Sequence, residues 1–138
     1  NLSLAYSGKG ENDKSTDYVK KALEIQLKSL GSEHPDVASS YCNLGNAHCY
    51  KGEFDKAIDY YEKALSIRVK SLGMEHPLVA KCYCYLSVAN RNLGEYGKAI
   101  DYYEKAASIY DALKQADDVK EIRDKIAEIQ SELTNTSE

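Results

Sequence analysis

Residues suited to a core recur along the middle of the chain at helical spacing, with polar residues between them. Val37, Tyr41, Leu44 and His48 share one face of a first segment, and Phe54, Ala57, Ile58, Tyr61, Ala64, Leu65 and Ile67 to Val69 mark a second. Gly52 stands at their junction, where a residue tolerating positive φ ends a helix, and Gly73 follows the second segment in the same way. Pro35 and Pro77 then fall where a helix opens, a position at which the missing N–H costs nothing. The pattern predicts helices over 1–9, 12–30, 36–51, 54–72, 78–93, 96–113 and 117–134, and no segment reads as a strand. The fold class is therefore expected to be all-α. In the last segment Val119, Ile122, Ile126, Ile129 and Leu133 form a narrow stripe, while Lys120, Glu121, Arg123, Asp124, Lys125 and Glu128 keep the rest wet. Such a helix suits the end of an open stack, which must hide one apolar face.

The pattern repeats. KSLGSEHPDVA at 28–38 returns as KSLGMEHPLVA at 70–80, so that 42 residues separate His34 from His76. The same offset carries 52–67 onto 94–109, and a diverged copy at 10–25 keeps Gly10, Glu11, Lys14, Asp17, Tyr18, Lys21, Ala22 and Ile25. The expected organisation is one domain, 1–138, of three antiparallel helical hairpins near 1–35, 36–77 and 78–116, followed by a capping helix at 117–134 and a disordered tail at 135–138. Asn1 aligns with Asn43 and Tyr85, so the first copy lacks the opening turns of its first helix. A fragment of a longer array is expected.

The small and aromatic residues within a copy have a packing logic. Gly45, Ala57 and Ala64 let two helices approach, and Tyr61 fills the space between neighbours. This Leu44-Gly45, Ala57, Tyr61, Ala64 pattern resembles the tetratricopeptide repeat, and the next copy keeps Leu86, Ala99, Tyr103 and Ala106 but has Ser87 for the glycine. The usual repeat of that family is about 34 residues. The longer period here, with the Leu-Gly-x-Glu-His-Pro-x-Val-Ala junction, is similar to the kinesin light chain type. The resemblance covers residues 1–113 and implies a right-handed superhelical solenoid that binds proteins and catalyses nothing. It further implies a ligand in the concave groove lined by the first helix of each hairpin.

On those helices the side opposite the core carries Ser39, Asn43, Asn46 and Tyr50 in one copy and Lys81, Tyr85, Val88 and Asn92 in the next, flanked by Cys49 and Arg91. In the first copy the row reduces to Asn1, Leu4 and Gly8. Amides, aromatic rings and a cationic end at Lys81 and Arg91 suit an extended, partly acidic peptide or a partner helix. A second reading is self-association of the array through an exposed end helix. The carboxylate clamp of some tetratricopeptide proteins fits poorly, since Tyr85 stands where it needs Arg and Leu4 where it needs Asn.

Composition narrows the alternatives. The net charge of −4 is mild and both signs are interspersed, which argues against nucleic acid as a partner. No stretch approaches the roughly 20 apolar residues of a membrane span, and no signal segment opens the chain, so a monomeric, cytoplasmic protein is expected. Cys42, Cys49, Cys82 and Cys84 lie inside helical patterns and read as free thiols. Cys82 and Cys84 project roughly 200° apart on a helix, so no metal site is expected. His34 and His76 are one junction residue seen twice, and His48 falls on the core side as a satisfied buried histidine, leaving no catalytic constellation and no cofactor. The paired Tyr60-Tyr61 and Tyr102-Tyr103 are read as packing, with Tyr61 and Tyr103 in the core and Tyr60 and Tyr102 against the neighbouring hairpin.

Overall fold

The computed structural model describes residues 9–136, with side chains placed for 16–135. Every regular element among the described residues is an α-helix: α1 (Lys9–Leu30), α2 (Pro35–Tyr50), α3 (Phe54–Leu72), α4 (Pro77–Asn92), α5 (Tyr96–Ala112) and α6 (Ala116–Thr136). From α2 onward the starts and ends lie within two residues of those the pattern predicts. The break expected before residue 12 is absent, because α1 starts at Lys9 and runs through Gly10. The rest of the helix expected at 1–9 lies outside the described residues, as do residues 137 and 138 of the expected tail, whereas α6 continues through 135 and 136.

Local chemistry sets the helix ends. His34 and His76 are the N-caps of α2 and α4, each in extended backbone just before the helix-opening proline. The His34 Nδ1 accepts from the Asp36 N–H and the His76 Nδ1 from the Leu78 N–H, both at 3.1 Å, so the ring satisfies one of the unpaired donors of the first turn. At the far end of α2, Gly52 takes φ 79°, its N–H donates to the Cys49 carbonyl at 3.0 Å, and the Glu53 N–H donates to the His48 carbonyl at 2.8 Å. That pair of bonds is the Schellman closure. Gly94 and Glu95 repeat it after α4 at 3.0 and 2.8 Å. After α5 the left-handed position is held by Lys114 at φ 60°, a residue that meets a steric cost glycine does not.

The chain divides into two compact units, residues 1–71 and 72–138. In the first, α1 packs on α2, and Ser40 donates to Gln26 Oε1 at 2.6 Å between them. The end of α3 ties to the α1–α2 junction, where Lys70 meets Glu33 Oε1 at 2.8 Å and the Ser71 hydroxyl donates to the Glu33 carbonyl at 3.0 Å. Leu23, Val37, Ala38, Leu44, Ala47, Ala57, Tyr61 and Ala64 are buried there. In the second unit α5 packs on both α4 and α6. Its buried set includes Val79, Ala80, Leu86, Ala89, Ala99, Tyr103, Ala106 and the α6 residues Ile122, Ile126 and Ile129. The α6 stripe is therefore covered over most of its length, while Leu133 near its end is 40% exposed.

Candidate functional site

Each unit contains a hairpin, α2–α3 or α4–α5, whose rigidity positions any surface it displays. The close approach in the first rests on Gly45, where a Cβ would fall 2.5 Å from Tyr61 Cε1. The Tyr61 ring occupies that space, and its hydroxyl donates to Asn46 Oδ1 at 2.6 Å and lies 3.5 Å from Cys49 Sγ. In the second, Ser87 is wholly buried and its hydroxyl donates back to the Tyr83 carbonyl at 2.9 Å. Burial pushes the Tyr103 hydroxyl up to about 12, with the Cys84 sulfur adding to the effect.

Tyr60 and Tyr102 stack on the first helix of their own hairpin, a contact the pattern did not indicate. Tyr60 lies 6.1 Å from Tyr41 and 5.4 Å from His48 between ring centroids, and Tyr102 lies 5.9 Å from Tyr83. Lys63 Nζ sits over the Tyr41 and Tyr60 rings at 5.6 and 5.5 Å, and Lys105 repeats this over Tyr83 and Tyr102 at 5.7 and 5.6 Å. The reason is angular: with Tyr61 seated on Gly45, its neighbour points about 100° round the helix, and the lysine three residues on reaches back over the rings.

The row on α2 is displayed unevenly. Ser39 and Tyr50 are exposed, Tyr50 at 58%, whereas Asn43 is half-buried and Asn46 holds Tyr61. On α4, Lys81 is exposed, Tyr85 half-buried, and Val88 44% exposed, while Asn92 donates to the Val88 carbonyl at 2.8 Å. Arg91 is engaged inside its own unit. Its guanidinium grips Glu132 of α6 through Nη2 and Nε, and Nη1 lies 3.4 Å from Glu128 Oε2. The hydrogen bond to Glu132 and the charges of both glutamates raise the Arg91 pKa, and the same bond holds the Glu132 carboxyl below the ordinary carboxylate range.

None of the four cysteines is in a disulfide, and burial pushes the Cys84 thiol up to about 12 with help from Glu121 and Asp118. Burial also raises Cys49, partly offset by its hydrogen bond to Tyr61. Such thiols stay protonated at neutral pH and make poor nucleophiles. Among the described residues no group of three or more His, Cys, Asp or Glu is placed to hold a metal ion, and no helix is long and apolar enough to cross a membrane.

The comparisons accord with this geometry. The tetratricopeptide repeat model matches residues 1–70 and 41–112, most of the chain. This chain belongs to the tetratricopeptide repeat family. No curated protein matches it. Among solved structures, a protein of Podosopora anserina described as a putative kinesin light chain with nearly identical TPR-like repeats superposes with a TM-score of 0.68 at 23% identity, over 95% of this chain and 72% of that one. A single-substitution variant of that protein gives the same values. BtubC (BKLC) from P. vanneervenii superposes with a TM-score of 0.67 at 20% identity, over 91% of this chain and 59% of that one. The fold is thus an all-α tetratricopeptide solenoid with long repeats of the kinesin light chain type. Tetratricopeptide repeats mediate protein–protein interaction, and the parts of this one that sequence reasoning missed are the two histidine caps and the Arg91–Glu132 pair. The caps had a signal, since the residue before a helix-opening proline occupies the N-cap. The ion pair had none, because its partners lie 41 residues apart.

Proposed function

We propose that the chain is an interaction module that captures partner proteins, as an extended and partly acidic peptide, on the exposed rows of α2 and α4. The observation that carries this reading is the display of large side chains on helices otherwise committed to a core: Tyr50, 58% exposed, on α2, and Val88, 44% exposed, with the exposed Lys81 on α4. Large side chains left in water next to hydrogen-bonding groups are what an extended chain uses for anchoring and register. Arg91 sharpens the charge argument. It already grips the carboxylates of Glu128 and Glu132, so α6 occupies that end and preference for acidic residues rests on Lys81. A scaffold role is supported by the raised thiols of Cys84 and Cys49, which make poor nucleophiles.

The test is a panel of extended peptides differing in acidic content, titrated against the full chain and against Asn43→Ala, Lys81→Ala and Tyr85→Ala. Each substitution is expected to weaken binding, by roughly fivefold to thirtyfold for a lost contact of order 1–2 kcal/mol. Unchanged capture in all three variants rejects the row as the binding surface. Self-association is favoured by one feature of α1: Tyr18 and Ile25 are 79% and 65% exposed, whereas Ile67 and Ile109, which match Ile25 in the later copies, are buried. Sedimentation at rising concentration separates the readings, since a chain that stays monomeric leaves partner capture alone.

A further inference from the structure

The first unit holds an open cavity of about 300 Å³ lined by Lys20 of α1, His48 of α2, and Lys56, Asp59, Tyr60 and Lys63 of α3. No member of the Ser39 to Tyr50 row lines it. Three ammonium groups thus border one space with a single carboxylate among them. Converging like charges raise the local potential and favour entry of an anion. Beside them His48 is only 5% exposed, its Nδ1 lies 3.1 Å from Glu53 Oε1, and its buried Nε2 has no hydrogen-bond partner. Native structures rarely leave such a nitrogen unsatisfied. With Nδ1–H committed to Glu53, Nε2 is the ring nitrogen left without a partner.

Comparison of the copies separates what the fold needs from what this copy adds. Lys56, Asp59, Tyr60 and Lys63 return 42 residues later as Lys98, Asp101, Tyr102 and Lys105, so they belong to the repeated frame. Lys20 and His48 do not return: their counterparts are Glu62 and Asn90. One copy therefore carries a positive charge and an imidazole where the next carries a negative charge and an amide.

We propose that this cavity binds a phosphate group, with Lys20, Lys56 and Lys63 supplying its counter-charge and His48 Nε2 sharing one proton with a phosphate oxygen. Glu53 orients the ring from behind and also meets Lys56 at 3.3 Å. Three ammonium groups from separate positions act as point charges around a tetrahedral anion, whereas a planar carboxylate favours the fork of an arginine, which this lining lacks. Three positive charges against Asp59 and the adjoining Glu53 leave an excess of one, which a phosphate ester sharing a single proton with His48 balances. The cavity accommodates a phosphate carried on a protein side chain or a free phosphate ester.

The test titrates the full chain with inorganic phosphate, a phosphoserine peptide and, at matched ionic strength, acetate, reading ring and side-chain nuclear magnetic resonance shifts. Phosphate is expected to move Lys20, the His48 ring and Lys63 together, and acetate far less. Tighter binding of the phosphopeptide than of free phosphate assigns the group to a partner protein, and the reverse assigns it to a small ester. The double variant Lys20→Glu, His48→Asn takes the residues that the next copy already carries, so folding is expected to persist by circular dichroism while phosphate binding weakens roughly tenfold or more. Should that variant unfold, Lys20→Gln serves, because Lys20 is exposed. Shifts scattered over all surface lysines, equal response to acetate, or undiminished binding in the variants would overturn the proposal.

Discussion

The α2–α3 and α4–α5 hairpins are built on one plan and differ where the plan permits. Both open on a histidine cap before a proline, turn between their two helices on a left-handed glycine, and stack two tyrosines beneath a lysine. Both bury a leucine completely, Leu44 in one and Leu86 in the other. Among the positions that differ, four near the ends of α2 and α4 carry distinct contacts. Gly45, Asn46, His48 and Cys49 in the first become Ser87, Val88, Asn90 and Arg91 in the second. In the first hairpin these residues serve the Tyr61 seat and the Glu53 contact; in the second they serve a buried backbone bond and the grip on α6. Repetition thus preserves the frame, and the varied positions give each copy its own attachments.

Exchanging the residues that differ should produce the largest effect. Gly45→Ser forces a Cβ into the Tyr61 ring, and overpacking of this kind costs about 1–3 kcal/mol. Ser87→Gly in the other hairpin removes a small buried group and is expected to cost less, of order 1 kcal/mol. Urea denaturation of both variants checks the asymmetry, and equal losses would show that the tyrosine seat is not specific to the first hairpin.

The shared features should respond alike. His34→Ala and His76→Ala each remove one cap acceptor, with a loss of about 1 kcal/mol, whereas asparagine at either position should restore most of it. A thermal melt of the four variants is sufficient. A clear difference between the two alanine variants would break the equivalence of the caps.

The smallest effect lies at the contact found only in the second unit. Because Arg91 holds the Glu132 carboxyl below its ordinary range, the ionised pair contributes stability above that range and loses it as pH falls through the depressed value. Arg91→Ala should return Glu132 to an ordinary titration, followed by carboxyl resonance, and flatten the acid limb of the stability profile. Glu53 is likewise held low, chiefly by His48 and then by Lys56, so its titration should stay unchanged in that variant.

Much of this organisation was legible in the chain. Helix positions followed from spacing, because burying one stripe of a helix requires core residues at its period whatever the partner. The glycine closures followed from backbone sterics, which depend on the residue itself. The stacking of Tyr60 on Tyr41 and His48 was not legible, since a pattern shows that a residue is apolar and repeated but not every neighbour it meets. His48 was rightly placed on the core side, yet its unpaired Nε2 was invisible, because hydrogen-bond satisfaction depends on atoms brought from other helices.

The amino-acid sequence by itself determined that this protein is a set of long helical hairpins, since period, helix ends and small-residue positions are local or repeated properties. Tertiary structure alone decided which charges are committed and which are displayed. Arg91 meets Glu132, and Lys20 shares a cavity with His48 and Lys63, across separations in the chain that no local rule spans. The physical reason is that electrostatic and hydrogen-bonding partners are chosen by distance in space, and folding sets that distance.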